Sequence, residues 1–111
     1  MSGLKNVRNY MPSSKSYLDY VLEQLSTLDD IDYRYMMSEY IIYYKGKVVG
    51  GVYDDRFLLK VTKSSKELLK DAPLELPYEG GHEMFLVDID DKELLERVIP
   101  LIYNDLRTKR L

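Results

Sequence analysis

Residues 34–62, RYMMSEYIIYYKGKVVGGVYDDRFLLKVT, decide the fold of this chain. Tyr33–Met37, Tyr40–Tyr44, Lys47–Tyr53 and Phe57–Thr62 are rich in β-branched and aromatic residues, the composition of strands. The links between them are short: Ser38-Glu39, Lys45-Gly46 and Asp54-Asp55-Arg56. A parallel crossover needs a dozen or more residues, so the stretch reads as an antiparallel meander. Gly50-Gly51 inside the third strand predicts a bulge or a close backbone approach.

Helical spacing appears on either side of the meander. Leu18, Val21, Leu22, Leu25 and Leu28 recur three and four apart, predicting a helix over 14–28 that ends at Asp29-Asp30. Ser16 and Asp19 have the spacing of a capping box at its start. Ser64 and Glu67 form a second box before Leu68, Leu69 and Ala72, and Pro73 stops that helix. Residues 73–82 read as a loop, and Glu83–Ile89 as one further strand. Asp90 is the expected cap of a last helix with Leu94, Leu95, Val98, Ile99, Ile102 and Leu106 on its apolar stripe. Pro100 is expected to kink that helix or mark a fresh start. The fold class is therefore α+β: two layers, with an antiparallel sheet of about five strands in the order α-β-β-β-β-α-β-α.

A chain of 111 residues holds one domain. Its expected limits are a flexible lead over 1–13, the domain over 14–107 and a basic end over 108–111. The absence of cysteine removes disulfides, thiolate nucleophiles and cysteine-bound zinc, and fits a reducing compartment. No apolar run is long enough to span a bilayer, and the first residues lack the apolar core of a secretory signal. The expectation is a cytoplasmic protein without membrane contact. Net charge is −3, and residues 17–32 carry five acids and no base. Such a body repels phosphate, so direct nucleic-acid binding is disfavoured despite Lys5, Arg8, Lys15, Arg107, Lys109 and Arg110 near the ends.

Chemistry-bearing residues are few, and each has a structural reading. His82 stands between Glu79 and Glu83, but a metal needs further ligands at fixed geometry. Asp88, Asp90 and Asp91 resemble the start of a calcium loop, which then fails because Glu93 stands where glycine is required. Asp54 and Asp55 suit a turn better than paired acid–base work. The expectation is no enzyme, no metal and no cofactor. Arg34 has two readings: an anchor for an anion, or a structural partner of Glu39 or Asp32. Tyrosine accounts for 11 residues against two Phe and no Trp. That preference suits a surface both apolar and wet, as in protein contacts. Tyr33 and Tyr35 share one strand face, and Tyr40 and Tyr44 share a face of the next strand.

The meander also resembles the N-terminal domain of the TfoX/Sxy competence regulators. That family follows an amphipathic helix with Arg-x-Met-Phe-Gly-Gly-Tyr-Gly-(Ile/Leu)-Tyr, a glycine turn, an Asp-(Asp/Asn) turn and a strand ending Lys-(Val/Thr). Arg34, Met36, Tyr40, Ile42 and Tyr43 fit the first block; Gly46, Asp54, Asp55, Leu59, Lys60 and Val61 fit the rest. The likeness spans about residues 14–107. Met37 replaces the family's Phe, and Ser38, Glu39 and Ile41 replace its glycines. The resemblance implies a two-layer domain and a role linked to transcription regulation, exerted through a protein partner. Arg34, Tyr35, Tyr40 and Tyr43 are the contact candidates, and a homodimer through a sheet face or edge is also expected. The alternative is a chaperone-like module that captures an extended peptide on a sheet edge.

Overall fold

The structure, a computed structural model, describes residues 14–108. Three helices, α1 (Lys15–Gln24), α2 (Lys63–Leu68) and α3 (Lys92–Thr108), accompany six strands. The strands are β1 (Ile31–Met36), β2 (Glu39–Tyr44), β3 (Lys47–Tyr53), β4 (Arg56–Leu59), β5 (Leu74–Glu75) and β6 (Met84–Leu86). They form one antiparallel sheet in the order β1-β2-β3-β4-β6-β5. The α+β class and two-layer packing hold, with one strand more than expected. The addition is β5, two residues inside the segment read as loop, where Leu74 and Glu75 pair with Phe85 and Met84.

Alternation along the strands separates the two faces. Tyr40, Ile42, Val52, Phe57, Leu59 and Phe85 are buried in one cluster with Leu18 and Val21 of α1, Leu25 just after it, Leu69, and Leu95, Val98, Ile99 and Ile102 of α3. Full burial of each such aliphatic side chain is worth about 1.5–3 kcal/mol, so this face carries the stability of the domain. The opposite face has a smaller cluster of Tyr53, Leu58 and Met84, with Ile41 and Leu86 packed against it.

All three hairpins of the meander turn on two residues with positive φ: Met37 and Ser38, Lys45 and Gly46, Asp54 and Asp55. This is the type I′ geometry, whose twist matches that of the strands it joins. The expected glycine irregularity is present as well. Pairing shifts between Ile42 and Tyr43, which face Gly50 and Val48, so Val49 is the extra residue of a bulge. A β-carbon on Gly50 would stand 2.2 Å from the Leu58 carbonyl oxygen, closer than any real contact.

Each helix begins one or two residues away from the expected cap. Ser14, not Ser16, caps α1 by accepting the Tyr17 amide at 3.1 Å. The choice is made by the β3–β4 turn, where Asp55 accepts the Ser14 amide at 2.9 Å. Thr62 and Ser65, not Ser64 and Glu67, form the box of α2. Ser65 is fully buried, and its hydroxyl also donates to the Lys60 carbonyl at 2.8 Å. Asp91, not Asp90, accepts the Leu94 amide at the start of α3. That helix runs unbroken through Pro100. The stripe buried on both sides of the proline outweighs the roughly 3 kcal/mol that an interior proline costs.

One carboxylate ties α2 to α3. Asp105 accepts the Ser64 amide at 2.8 Å. Burial pushes the Asp105 carboxyl up, but hydrogen bonds from the Ser64 amide and the Thr62 and Ser64 side chains outweigh it and hold the group below its usual value. A depressed folded-state pKa contributes stability above the ordinary carboxylate range and loses it as pH falls. Asp105→Ala should therefore cost about 1 kcal/mol at pH 7, a deficit that shrinks when urea unfolding is repeated at pH 3. Gly50→Ala should cost about 3 kcal/mol by the same assay. Gly46→Ala, with φ +85° and open space around it, should cost only about 1 kcal/mol. Equal losses at the two glycines would remove the argument from close approach.

Candidate protein-contact site

β1 is an edge strand, and nearly all of it is exposed. Its register sets Tyr33 against Ile42 and Tyr35 against Tyr40 on the helix side of the sheet. Asp32, Arg34 and Met36 face Tyr43, Ile41 and Glu39 on the other side. A two-residue turn makes Met36 and Glu39 a hydrogen-bonded pair, so residues 32, 34 and 36 direct their backbone groups at β2. Residues 31, 33 and 35 direct theirs away from it. The Lys45 amide meeting the Asp30 carbonyl at 3.0 Å continues the same parity. The Tyr33 amide, pointing outward, is taken by the Asp32 carboxylate at 2.8 Å.

On the helix side three tyrosines form a cluster at the rim of the core. The Tyr40 ring lies 5.0 Å from that of Tyr35 and 6.0 Å from that of Tyr33, in tilted and edge-to-face arrangements. Tyr40 is only 8% exposed, while Tyr35 is 56% exposed. Tyr40 therefore belongs to the core and supports the exposed rings from beneath. Lys15, at the start of α1, stands beside this cluster. Its pKa is raised first by its bond to Asp19, at 3.3 Å, and further by the nearby Tyr33 and Tyr40.

On the other side the Arg34 guanidinium lies over the Tyr43 ring, 5.9 Å from its centroid. The two acids considered as its partners hold backbone amides, Asp32 that of Tyr33 and Glu39 that of Asp54. The four sequence candidates thus divide by face, Tyr35 and Tyr40 on one side of the hairpin, Arg34 and Tyr43 on the other. A shallow groove of about 760 Å³ runs along the strand end, lined by Asp30, Asp32, Tyr33, Arg34, Tyr43 and Lys45.

The most exposed apolar residue of the site has no place among those candidates. Met37 is 90% exposed at the hairpin tip with φ +53°, followed by Ser38 at +71°. A non-glycine residue held there is strained by about 1–2 kcal/mol. The available signal was the family glycine that Ser38 replaces: a positive φ was implied in that turn, filled by side chains.

The remaining candidates have structural positions. Asp55 anchors α1, Asp90 accepts the Tyr20 hydroxyl, and Asp88 accepts the Asp90 amide at 2.9 Å. Among the described residues no three His, Cys, Asp or Glu side chains converge as a metal would need. No described helix is long and apolar enough to cross a membrane. His82 is exposed beside a second groove of about 730 Å³, lined also by Val48, Tyr53, Lys60, Tyr78 and Glu83. Burial, then Tyr78 and Glu39, pushes the Tyr53 hydroxyl up to about 12, and burial alone lowers Lys60. The basic residues up to 13 and from 109 onward lie outside the described residues.

The family model described as the TfoX N-terminal domain matches residues 23–98. A small protein of Spirochaeta aurantia, described as an uncharacterised 12.7 kDa protein in the trpE 5′ region, is 31% identical over 78 residues. The alignment covers 70% of this chain and 68% of the relative.

Two substitutions separate support from surface. Tyr40→Ala should cost about 3 kcal/mol in urea unfolding, as loss of a core aromatic does. Tyr35→Ala should stay within about 0.5 kcal/mol of the wild type. Replacing Met37-Ser38 by Asn-Gly should stabilise the domain by about 1 kcal/mol, because those residues accept positive φ. No gain there would mean the turn carries no strain.

Proposed function

The chain belongs to the TfoX N-terminal domain family, and on that premise we propose that it is a non-catalytic protein-contact domain acting through the β1–β2 hairpin. The observation that carries this reading is the concentration of exposed apolar side chains there. Tyr33, Tyr35, Met36 and Met37 are 38, 56, 44 and 90% exposed and follow one another within five residues. Aromatic residues, Met and Arg are the types enriched at protein interfaces. Arg34 and Tyr43 add a cation and a ring on the reverse of the hairpin. Rings seated on a core residue lose little freedom on binding, which favours them as anchors.

The non-catalytic part is supported by what the carboxylates do. Asp55, Glu39, Asp90 and Asp105 each hold an amide or hydroxyl of the fold, a structural use of the carboxylate. By family resemblance the partner belongs to the control of transcription. The outward amides and carbonyls of β1 favour a second reading, capture of an extended polypeptide as an added strand.

A photo-crosslinking amino acid placed at Tyr35 or Met37 in cells tests the surface, with Leu101 on α3, 39% exposed, as the control. Discrete protein adducts from the hairpin and none from Leu101 are expected. No adducts, or the same adducts from both places, would end this reading. A ladder of unrelated chains in place of one adduct would favour peptide capture.

A further inference from the structure

The edge of β1 is complementary to itself. We propose that it pairs with β1 of a second copy, antiparallel about a twofold axis at Tyr33, to make one continuous sheet; this rests on the reading of the hairpin as a contact surface. The backbone allows it, because Ile31, Tyr33 and Tyr35 direct their amides and carbonyls outward while Asp32, Arg34 and Met36 bond to β2. Among the described residues no strand lies beyond β1. With Tyr33 opposite the partner's Tyr33, Ile31 meets the partner's Tyr35, and Tyr35 meets the partner's Ile31. Each hydrogen-bonded pair exchanges two bonds, about six in all.

Charge selects this register. Asp32 and Arg34 are two residues apart on the same face. A twofold at Tyr33 therefore sets Asp32 beside the partner's Arg34, and Arg34 beside the partner's Asp32. Both contacts are non-hydrogen-bonded pairs, in which cross-strand side chains come closest. Moving the axis to residue 32 places two aspartates together, and moving it to residue 34 places two guanidiniums together. Like charges directly opposite are destabilising, so the neighbouring registers are disfavoured. The Asp32 carboxylate now holding the Tyr33 amide would exchange that local bond for the ion pair as the amide finds the partner's carbonyl. On the helix side Tyr33 would meet the partner's Tyr33, with Tyr35 on the diagonal to it, joining the two tyrosine clusters. Edge strands that avoid pairing carry charges, above all lysine, or proline; Ile31–Met36, IDYRYM, has no lysine or proline, and its two charges are of opposite sign and placed to pair across the twofold.

The test is sedimentation velocity over a range of concentrations, with amide hydrogen exchange read by NMR. Wild-type protein should dimerise, and amides of Ile31, Tyr33 and Tyr35 should gain protection with concentration. Those of Asp32, Arg34 and Met36 should be protected throughout. Asp32→Arg and Arg34→Asp should each weaken the dimer about ten-fold, since each sets like charges opposite twice. The double variant should recover most of that loss, because the pairs are restored with signs exchanged. Tyr33→Pro, checked for a wild-type circular dichroism spectrum, should abolish the dimer by removing the central donor. A monomer at all concentrations with fast exchange at Ile31, Tyr33 and Tyr35 would overturn the proposal. So would a dimer whose double variant is as weak as the single ones. If the protein is monomeric while Tyr35 and Met37 still crosslink to another protein, the contact surface stands and this pairing falls.

Discussion

The Leu58 carbonyl oxygen governs the centre of the sheet. It lies where a β-carbon on Gly50 would have to be, 2.2 Å away, so β3 and β4 can approach only with hydrogen at that position. The bulge at Val49 lies beside it and exchanges the faces of the preceding residues. Val49 joins the large core, while Val48 lines the outer groove with Tyr53. On the neighbouring strand the same irregularity falls between Ile42, fully buried, and Tyr43, which carries Arg34. The division of the hairpin itself, into a supported tyrosine cluster and a cationic reverse face, follows the plain alternation of β1 and β2, which pair without a break from Ile31 and Tyr44 to Met36 and Glu39. Gly51 makes room as well, because a β-carbon there would stand 2.7 Å from the Tyr53 ring, which occupies that space instead.

Carboxylates then join the layers. Asp55 in a sheet turn takes the Ser14 amide at the start of α1, and Asp105 on α3 takes the Ser64 amide in the first turn of α2. Each is a negative charge at donor-rich helical amides, a favourable arrangement for both hydrogen bonding and the helix dipole. Arg56 makes the complementary bond on the outer face, reaching Glu75 of β5 at 2.8 Å and the Leu76 carbonyl at 3.1 Å. That contact helps to hold a two-residue strand which composition alone would leave as loop.

What sequence could and could not foretell follows from how local each signal is. Period-two alternation, short links and Gly50-Gly51 are local, and the meander, its antiparallel sense and its irregularity were legible from them. The caps were not, although their chemistry was: Ser14 and Ser16 are equally able acceptors, and Asp55, 41 residues away, decides between them. Tyr35 and Tyr40 are equally plausible surface residues in isolation. Their fates differ because the core cluster beneath the helices takes in Tyr40 of β2, whereas on β1 only Ile31 packs against it. Arg34 was legible as a residue without a fixed role, and its position over Tyr43 follows from a diagonal across two strands that no linear pattern encodes.

Strain at the hairpin tip bears on why this edge has the form it does. A turn needing two positive φ values is most easily made from Asn-Gly, and the family pattern supplies glycine nearby. This chain holds Met37 and Ser38 there instead, at 53° and 71°, with the methionine almost wholly in solvent. Neither residue helps the core, so stability of the isolated domain gives no reason for them. Strained residues persist where the surrounding structure holds them, and they cluster at functional sites. A flexible, polarisable methionine beside two anchored tyrosines suits contact with another protein surface. The same reasoning applies along β1, where one acid and one base replace the like charges that would keep a second strand away. The tip and the edge are adjacent parts of one hairpin, and both expose apolar side chains that the core does not use.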